Sequence, residues 1–458
     1  MRYYLLNLFL GRVVLAAALD FLCFVAAGAV AYGILGAPLP PTTYAAWIVT
    51  GAVGAFVLLY YTDNYGLTTL GSGRLTLANF AAFMGVATLV GIFAYFAFQA
   101  SPRTLEAVAT LVAIYVPMIV AGRLAFRAIS SRPEWSRRVL IVGVSDLGCA
   151  IAEALRDRKN LGAEVAGFLS DDPDHEGGWV EGYPVLGRVH EIEKILDRER
   201  IGSIVVASKR RDEHFPADEL LAAKLQGRLV ESGVSFYERV TGRIYMRDLR
   251  PSYLIFSSGF RGGALHEAAT RALDITLSTL GLVLMAPLLP LVALAIRLDS
   301  NGPIFFTQER VGRNGKIFRV LKFRSMHHGA ERKTGAVFSS HGDDRITRVG
   351  RFLRMARIDE MPQLWNVFRG DMSFVGPRPE RPEFVESLSD EYPYFRARLA
   401  LKPGLTGWAQ IRHGYVNDVS GYEDKIALDL YYLKYRSLTM DLLILWKTLK
   451  TVVLLRGH

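Results

Sequence analysis

The chain has 458 residues, 51% of them hydrophobic, and a formal net charge of +10. That length holds two to four domains, and the only two cysteines, Cys23 and Cys149, exclude a disulfide framework and a cysteine zinc site. The charge is segregated: residues 1–130 carry six basic and three acidic residues, 131–270 twenty and twenty-two, and 271–458 twenty-eight and nineteen. A basic last third in so apolar a chain points to anionic lipid or phosphorylated substrates. No recognition motif accompanies the charge, which argues against nucleic acid.

Four apolar stretches fill the first third, at roughly 11–36, 44–61, 76–100 and 106–129. Each approaches the ~20 residues that span a bilayer. The first is too long for a cleavable signal and is followed by three more. Asp20 lies within it, as a functional acid or as one that snorkels or pairs. Arg2 and Arg12 precede the bundle, and Arg123, Arg127, Arg132, Arg137 and Arg138 cluster at its exit. The positive-inside rule then puts both ends in the cytoplasm, as an even number of spans requires.

Residues 131–264 alternate strands with helices, which implies a parallel doubly wound sheet. Strands are predicted at 138–143, 163–169 and 201–207, with helices at 149–157 and 190–199 between them. The turn Gly143-Val-Ser145-Asp-Leu-Gly148 is a degenerate dinucleotide fingerprint. Ser145 stands where a glycine lets the backbone approach pyrophosphate, and Asp171 stands where a ribose-binding acid belongs. A nucleotide site and a scaffold or oligomerisation domain both fit. No Tyr-x-x-x-Lys pair follows, which counts against a sugar-nucleotide dehydratase or epimerase.

A fifth apolar segment runs from Ile275 to Ile296, flanked by Arg271 and Asp274 before and Arg297 and Asp299 after. A full crossing would place the basic last third outside, against the positive-inside rule. Pro287 and Pro290 each remove a helix hydrogen bond, so a broken helix that dips into one leaflet and returns is the alternative to a kinked span.

Beyond it, 303–312 and 317–326 read as two strands joined by Asn314-Gly315, a strong hairpin signal. Lys322 and Arg324, two apart, are predicted on one strand face. A helix follows with Arg345, Arg348, Arg351, Arg354 and Arg357 at steps of three, which would suit an anionic lipid surface. Asp359-Glu360 come next, then Pro362 in the first turn of a helix at 362–369. An aspartate there can attack phosphorus, its neighbour can hold Mg²⁺, and a plain helix cap is the alternative. In Gly376-Pro377-Arg378-Pro379 an arginine is locked between prolines, and its fork suits a bidentate grip on phosphate. Lys402-Pro-Gly404-Leu-Thr406-Gly407-Trp408-Ala-Gln410 is a Gly-rich loop, with Thr406 and Gln410 as candidate nucleotide contacts. The amphipathic run from Asp441 to Lys450 could dock at an interface or pack in a core. His327 and His328 are adjacent and read as surface residues.

Together these residues resemble the bacterial polyprenyl-phosphate hexose-1-phosphate transferases, the monotopic phosphoglycosyl transferases. The matching pieces are Arg271-x-x-Asp274, the Pro287-broken helix, Gln308 to Gly312, Lys322 to Met326, Arg345 to Arg354, Asp359 to Asn366, Gly376 to Pro379 and Lys402 to Gly407. They cover about 265–458 in order, and the whole chain resembles the long form that starts exopolysaccharide or O-antigen units.

The resemblance implies a multi-domain membrane protein of the bacterial inner membrane. It would have a four-helix transmembrane bundle (1–130), an α/β Rossmann-like cytosolic domain (131–264) and an α+β catalytic domain with a re-entrant membrane helix hairpin (265–458). A homodimer is expected. Asp359 would attack the sugar-bearing phosphate of a UDP-hexose, such as UDP-glucose or UDP-galactose, and expel UMP. Glu360 would bind Mg²⁺, while Lys322, Arg324, Arg354 and Arg378 would hold phosphates. Undecaprenyl phosphate would then take the phosphosugar from the aspartate. Many members have Ser before the break-point proline, where this chain has Ala286. Two rival readings are a nucleotide-sugar-modifying enzyme run by the middle domain and a non-catalytic scaffold for polysaccharide assembly.

Overall fold

The computed structural model describes residues 4–35, 41–61, 84, 102–130, 137–157, 163–208, 215–247, 249–260, 263–330, 343–413 and 421–453. The chain divides into two compact units, Met1–Thr241 and Gly242–His458.

In the first unit, helices α1 (Tyr4–Ile34), α2 (Pro41–Tyr61) and α3 (Pro102–Ser130) pack through small residues. Ala16, Ala27 and Ala55 are buried with Leu59, Tyr115 and Ile119, while Leu22, Ile34, Trp47 and Leu124 point outward. Small side chains let helix backbones approach closely where no aqueous driving force acts between them. Leu15–Ile34 and Glu106–Ala125 are long and apolar enough to cross a membrane, and Tyr44–Leu59 is a shorter apolar helix. The predicted span at 76–100 lies outside the described residues, apart from Met84. Asp20 is buried and ion-paired to Arg123 of α3, so the pairing alternative holds for it.

The sheet that follows has strands β1 (Arg137–Val142), β2 (Ala163–Leu169), β3 (Trp179–Val180), β4 (Tyr183–Gly187), β5 (Ser203–Val206) and β6 (Leu229–Ser232). Their order is β3-β4-β2-β1-β5-β6, parallel except for the β3–β4 hairpin. The connecting helices are α4 (Asp146–Arg156), α5 (Ile192–Arg198), α6 (Ala217–Leu225) and α7 (Gly233–Thr241). Leu140, Val142, Ile192, Ile195 and Ile204 form their core. The predicted doubly wound arrangement is present, and its two forecast helices begin within three residues of their predicted starts.

The second unit opens with residues 242–260, including α8 (Pro251–Phe256). The broken helix follows as α9 (Ala264–Met285) and α10 (Leu289–Asp299), separated at Ala286-Pro287-Leu288. By length and composition Ala264–Met285 is a third candidate span. Next come β7 (Phe305–Val311) and β8 (Ile317–Phe323). These pair antiparallel with Lys322 opposite Phe306, through a turn in which Asn314 and Gly315 both have positive φ. Helix α11 (Arg348–Met355), a 3-10 turn (Ile358–Glu360) and α12 (Gln363–Arg369) carry the acidic pair. Strands β9 (Ser373–Val375) and β10 (Gly404–Thr406) pair in parallel. Helices α13 (Pro382–Glu391), α14 (Trp408–His413), α15 (Tyr422–Tyr435) and α16 (Leu438–Val453) complete the unit.

The arginine helix is shorter than forecast. Thr347 caps it by accepting from Gly350 N, and Arg345 lies before the cap, ion-paired to Asp343. One face of the last helix packs in the core, with Asp441 and Ile444 of α16 buried, while Leu442, Leu443 and Leu449 on the other are exposed.

The segment before the broken helix shares a core with the chain after it. Ile244 is buried among Val311, Val375, Trp408 and Ile426. Ile244 N donates to Ala427 O and Phe260 N to Lys434 O. Trp408 Nε1 donates to Gly242 O at 2.8 Å, and Tyr394 Oη to Leu249 O at 2.9 Å.

Candidate active site

Four structural pieces converge on Asp359-Glu360. Arg357 adopts the left-handed region (φ 60°), a conformation that costs a non-glycine residue about 1–3 kcal/mol and tends to occur at functional sites. It ends α11 and turns the chain so that Asp359 faces inward, 7% exposed. Asp359 is not a helix cap. The residue preceding α12 is Pro362, with no side-chain cap bond, which removes the plain-cap alternative.

Lys322, near the end of β8, donates to Glu360 Oε1 at 2.8 Å. Arg378, from the loop after β9, donates to the same oxygen at 2.9 Å. Arg354 of α11 donates through Nε to Ser325 Oγ at 2.9 Å. Burial pushes the Asp359 carboxyl up to about 6, reinforced by the charge of Glu360 and opposed by Lys322, Arg354 and Arg357. Burial would also raise Glu360, but Lys322 and Arg378 overcome it and hold that carboxyl far below the usual range. The two neighbours are thus driven apart: one is an anion locked by cations, the other a carboxylate poised just below neutrality.

The structure does not gather every predicted residue here. Arg324 lies one residue past β8, so strand alternation no longer sets its direction. It is 5% exposed and donates to Ser300 O, Asn301 O and Ile296 O, satisfying carbonyls at the end of α10. Gly302, with φ +126°, makes room for it, since a Cβ there would stand 2.1 Å from Arg324 Nη1.

Arg271 likewise caps α12, donating to Val367 O and Phe368 O at 2.8 and 2.6 Å. Asp274 is buried and accepts from Ser373 Oγ and Phe374 N. These two therefore clamp α9 to the elements around the acidic pair, and Pro287 marks its break. Thr406 bonds Thr448 Oγ1 at 2.7 Å, and Gln410 Nε2 donates to Leu405 O at 3.3 Å. The loop carrying them packs on the loop of Arg378, where Gly404 and Gly376 touch so closely that a Cβ on Gly404 would sit 2.2 Å from Gly376 N. His327 and His328 are exposed.

Sequence reasoning gave Asn366 no role. Its amide accepts from Leu321 N at 3.0 Å and donates to Arg319 O at 2.8 Å, joining α12 to the edge of β8 and so Glu360 to Lys322. Asn in the first turn of the short helix that follows the acids was the available signal.

Among the described residues no group of three His, Cys, Asp or Glu could hold a metal ion. The site's donors are two carboxylates, and Lys322 and Arg378 each bond Oε1 of Glu360. That set suits a hard divalent ion whose remaining ligands are phosphate oxygens and water.

In the middle sheet, Ser145 Oγ donates to Ala207 O at 2.8 Å and accepts from Gly148 N. Asp171 Oδ1 accepts from Val189 N at 2.8 Å. Both candidate nucleotide residues are tied into the sheet's own loops.

A glutamate held by Lys322 and Arg378 beside a buried aspartate lies on a unit whose Ala264–Met285 helix is long and apolar enough to cross a membrane, the mark of a membrane-associated protein. The family model "Bacterial sugar transferase" matches residues 265–455, and "CoA-binding domain" matches 60–214. The chain is 38% identical over 266 residues to the UDP-N-acetylgalactosamine-undecaprenyl-phosphate N-acetylgalactosaminephosphotransferase of Aeromonas hydrophila, covering 57% of this chain and 62% of that protein. It is 44% identical over 198 residues to the UDP-glucose:undecaprenyl-phosphate glucose-1-phosphate transferase of Caulobacter vibrioides, covering 42% and 74%. With the protein of the same name from Escherichia coli it shares 31% identity over 327 residues, covering 68% and 67%. The chain belongs to the bacterial sugar transferase family. It spans less than two thirds of the Aeromonas relative's length.

Proposed function

We propose that this protein transfers a hexose-1-phosphate from a UDP-sugar to undecaprenyl phosphate through a covalent intermediate on Asp359. The observation that carries the reading is the division of labour in the acidic pair: Glu360 is held by Lys322 and Arg378, while Asp359 beside it is buried, serves no cap and is ionised at neutral pH. The relatives named above carry names for this transfer, and they differ in the sugar.

In the first step an Asp359 carboxylate oxygen bonds to the sugar-bearing phosphorus, and the phosphoanhydride bond breaks with its electron pair leaving on UMP. In the second, an oxygen of undecaprenyl phosphate attacks that phosphorus and Asp359 leaves as a carboxylate. Lys322, Arg354 and Arg378 neutralise charge on the transferring phosphates. Glu360, with Asp359 beside it, would hold a Mg²⁺ ion arriving on the diphosphate, which would supply further neutralisation.

A re-entrant course for α9 and α10 is part of this reading. Ile244, Met246, Leu249 and Phe260 share one core with Val311, Val375, Trp408, Ile426 and Ile444, which favours both flanks of the broken helix lying on one side of the membrane. Leu284, Leu288, Leu291 and Leu298 remain exposed along it, a lipid-facing surface that would bring the acceptor to the site on the cytoplasmic face. The middle sheet is then a scaffold.

The experiment is UMP release from a panel of UDP-sugars with undecaprenyl phosphate. One sugar should support turnover, and Asp359→Asn should abolish it. Normal UMP release by that variant would disprove the nucleophile assignment.

A further inference from the structure

Arg378 sits between two prolines, so its loop has few N–H groups to anchor it. It is held instead by its carbonyls, four in succession. Pro377 O accepts from Gly404 N at 2.9 Å. Arg378 O accepts from Arg398 Nη2 at 2.9 Å, and Pro379 O from Arg310 Nη1 at 3.0 Å. Glu380 O accepts from Val311 N at 2.9 Å. Two of the four donors are arginines, Arg398 buried and Arg310 half-buried.

Those arginines belong to a buried ionic network. Arg398, 3% exposed, ion-pairs with Asp429 at 2.7 Å and lies 3.8 Å from Glu380. Arg310 lies 3.9 Å from Glu380, and Lys425 Nζ donates to Glu380 Oε1. Glu380 directly follows the Pro-Arg-Pro run. Burial alone would raise its carboxyl, but Lys425 and Arg398 hold it below the usual range. Apolar residues of similar volume would fill this space without the desolvation cost of five charges. What apolar residues could not do is donate hydrogen bonds to consecutive carbonyls.

We propose that Arg398 and Arg310, braced by Asp429, Glu380 and Lys425, are positioning residues that aim Arg378 at Glu360 and at the substrate phosphate. The proposal rests on the reading of Arg378 as a phosphate-binding residue. It assigns the network a task beyond stability: the Arg398 fork reaches Arg378 O and Asp429 through Nη2 while Nη1 faces Glu380, a span of three partners that the single nitrogen of a lysine cannot cover.

The test is a double-mutant cycle on the full-length protein in detergent, using calorimetric binding of UDP with Mg²⁺ present and melting temperature as a second readout. Arg398→Lys keeps the charge beside Asp429 but loses the span. It should weaken UDP binding about tenfold with little change in melting temperature, and should add nothing when combined with Arg378→Ala. Multiplicative losses in the double variant, or unchanged UDP affinity in Arg398→Lys, would overturn the proposal. Wild-type affinity in Arg378→Ala alone would instead bring down the phosphate-binding reading, and the proposal with it. Should Arg398→Lys fail to fold, Arg310→Lys runs the same cycle through Pro379 O.

Discussion

At the scale of single residues, the acidic pair shows how one environment shifts two neighbouring carboxyls in opposite directions. Burial and the charge of Glu360 raise the Asp359 carboxyl from its ordinary 3.8 to about 6, so it is mainly the carboxylate above neutrality. UMP release should therefore show an acid limb near pH 6 and a plateau above pH 7, read from the initial rate against pH. The same shift bears on stability. A carboxyl whose folded-state pKa is raised supports the fold below its unfolded value, and that support is lost as pH rises through 6. Asp359→Asn carries no charge at any pH. Its melting temperature relative to wild type should rise between about pH 4 and about pH 7; a flat difference would mean that burial does not set the shift. Sequence spacing could place the two acids and the arginines near them. It could not exclude a cap at Asp359, because that depends on the left-handed Arg357 and the absence of a side-chain cap on α12.

At the scale of elements, local signals served where they were local. Asn314-Gly315 made its hairpin and Pro287 broke its helix. Thr347, an N-cap residue hidden inside the arginine run, set the start of α11 where periodicity alone had begun it at Arg345. Arg324 failed for a similar reason, because the strand ended before it. Lys322 and Arg324 therefore separate in their partners, Glu360 for the one and the carbonyls after α10 for the other. Arg324→Gln should destabilise the protein by about 1–3 kcal/mol through the unsatisfied carbonyls of α10 and leave UDP affinity unchanged. Lys322→Gln should weaken UDP binding about tenfold with a smaller effect on melting. Calorimetry and thermal melting of the two variants distinguish the roles, and equal losses of affinity would return Arg324 to the site. Asn366 and the network of Arg310, Glu380, Arg398, Lys425 and Asp429 were illegible because their partners lie tens of residues apart, with no period to join them.

At the scale of the whole molecule, charge and packing bear on topology in different ways. The basic last third set the positive-inside rule against a full crossing at 275–296, but a rule about charge left the kinked span open. Packing adds a constraint that charge lacks. If α9 and α10 formed a crossing span, residues 242–260 and the chain after Asp299 would lie on opposite faces of the bilayer. Ile244 could then not share a core with Val311, Trp408 and Ile426, and Phe260 N could not reach Lys434 O. Breaking that core would also expose Ile244 and unpair backbone groups, each a cost that burial in one folded unit avoids. Ser252 and Asn301 are exposed on the two flanks. In a variant with Cys23 and Cys149 replaced by alanine, Ser252→Cys and Asn301→Cys should react with a membrane-impermeant maleimide from the same side of sealed vesicles. Reaction from opposite sides would require α9 and α10 to cross, and the shared core of the second unit would then have to be abandoned.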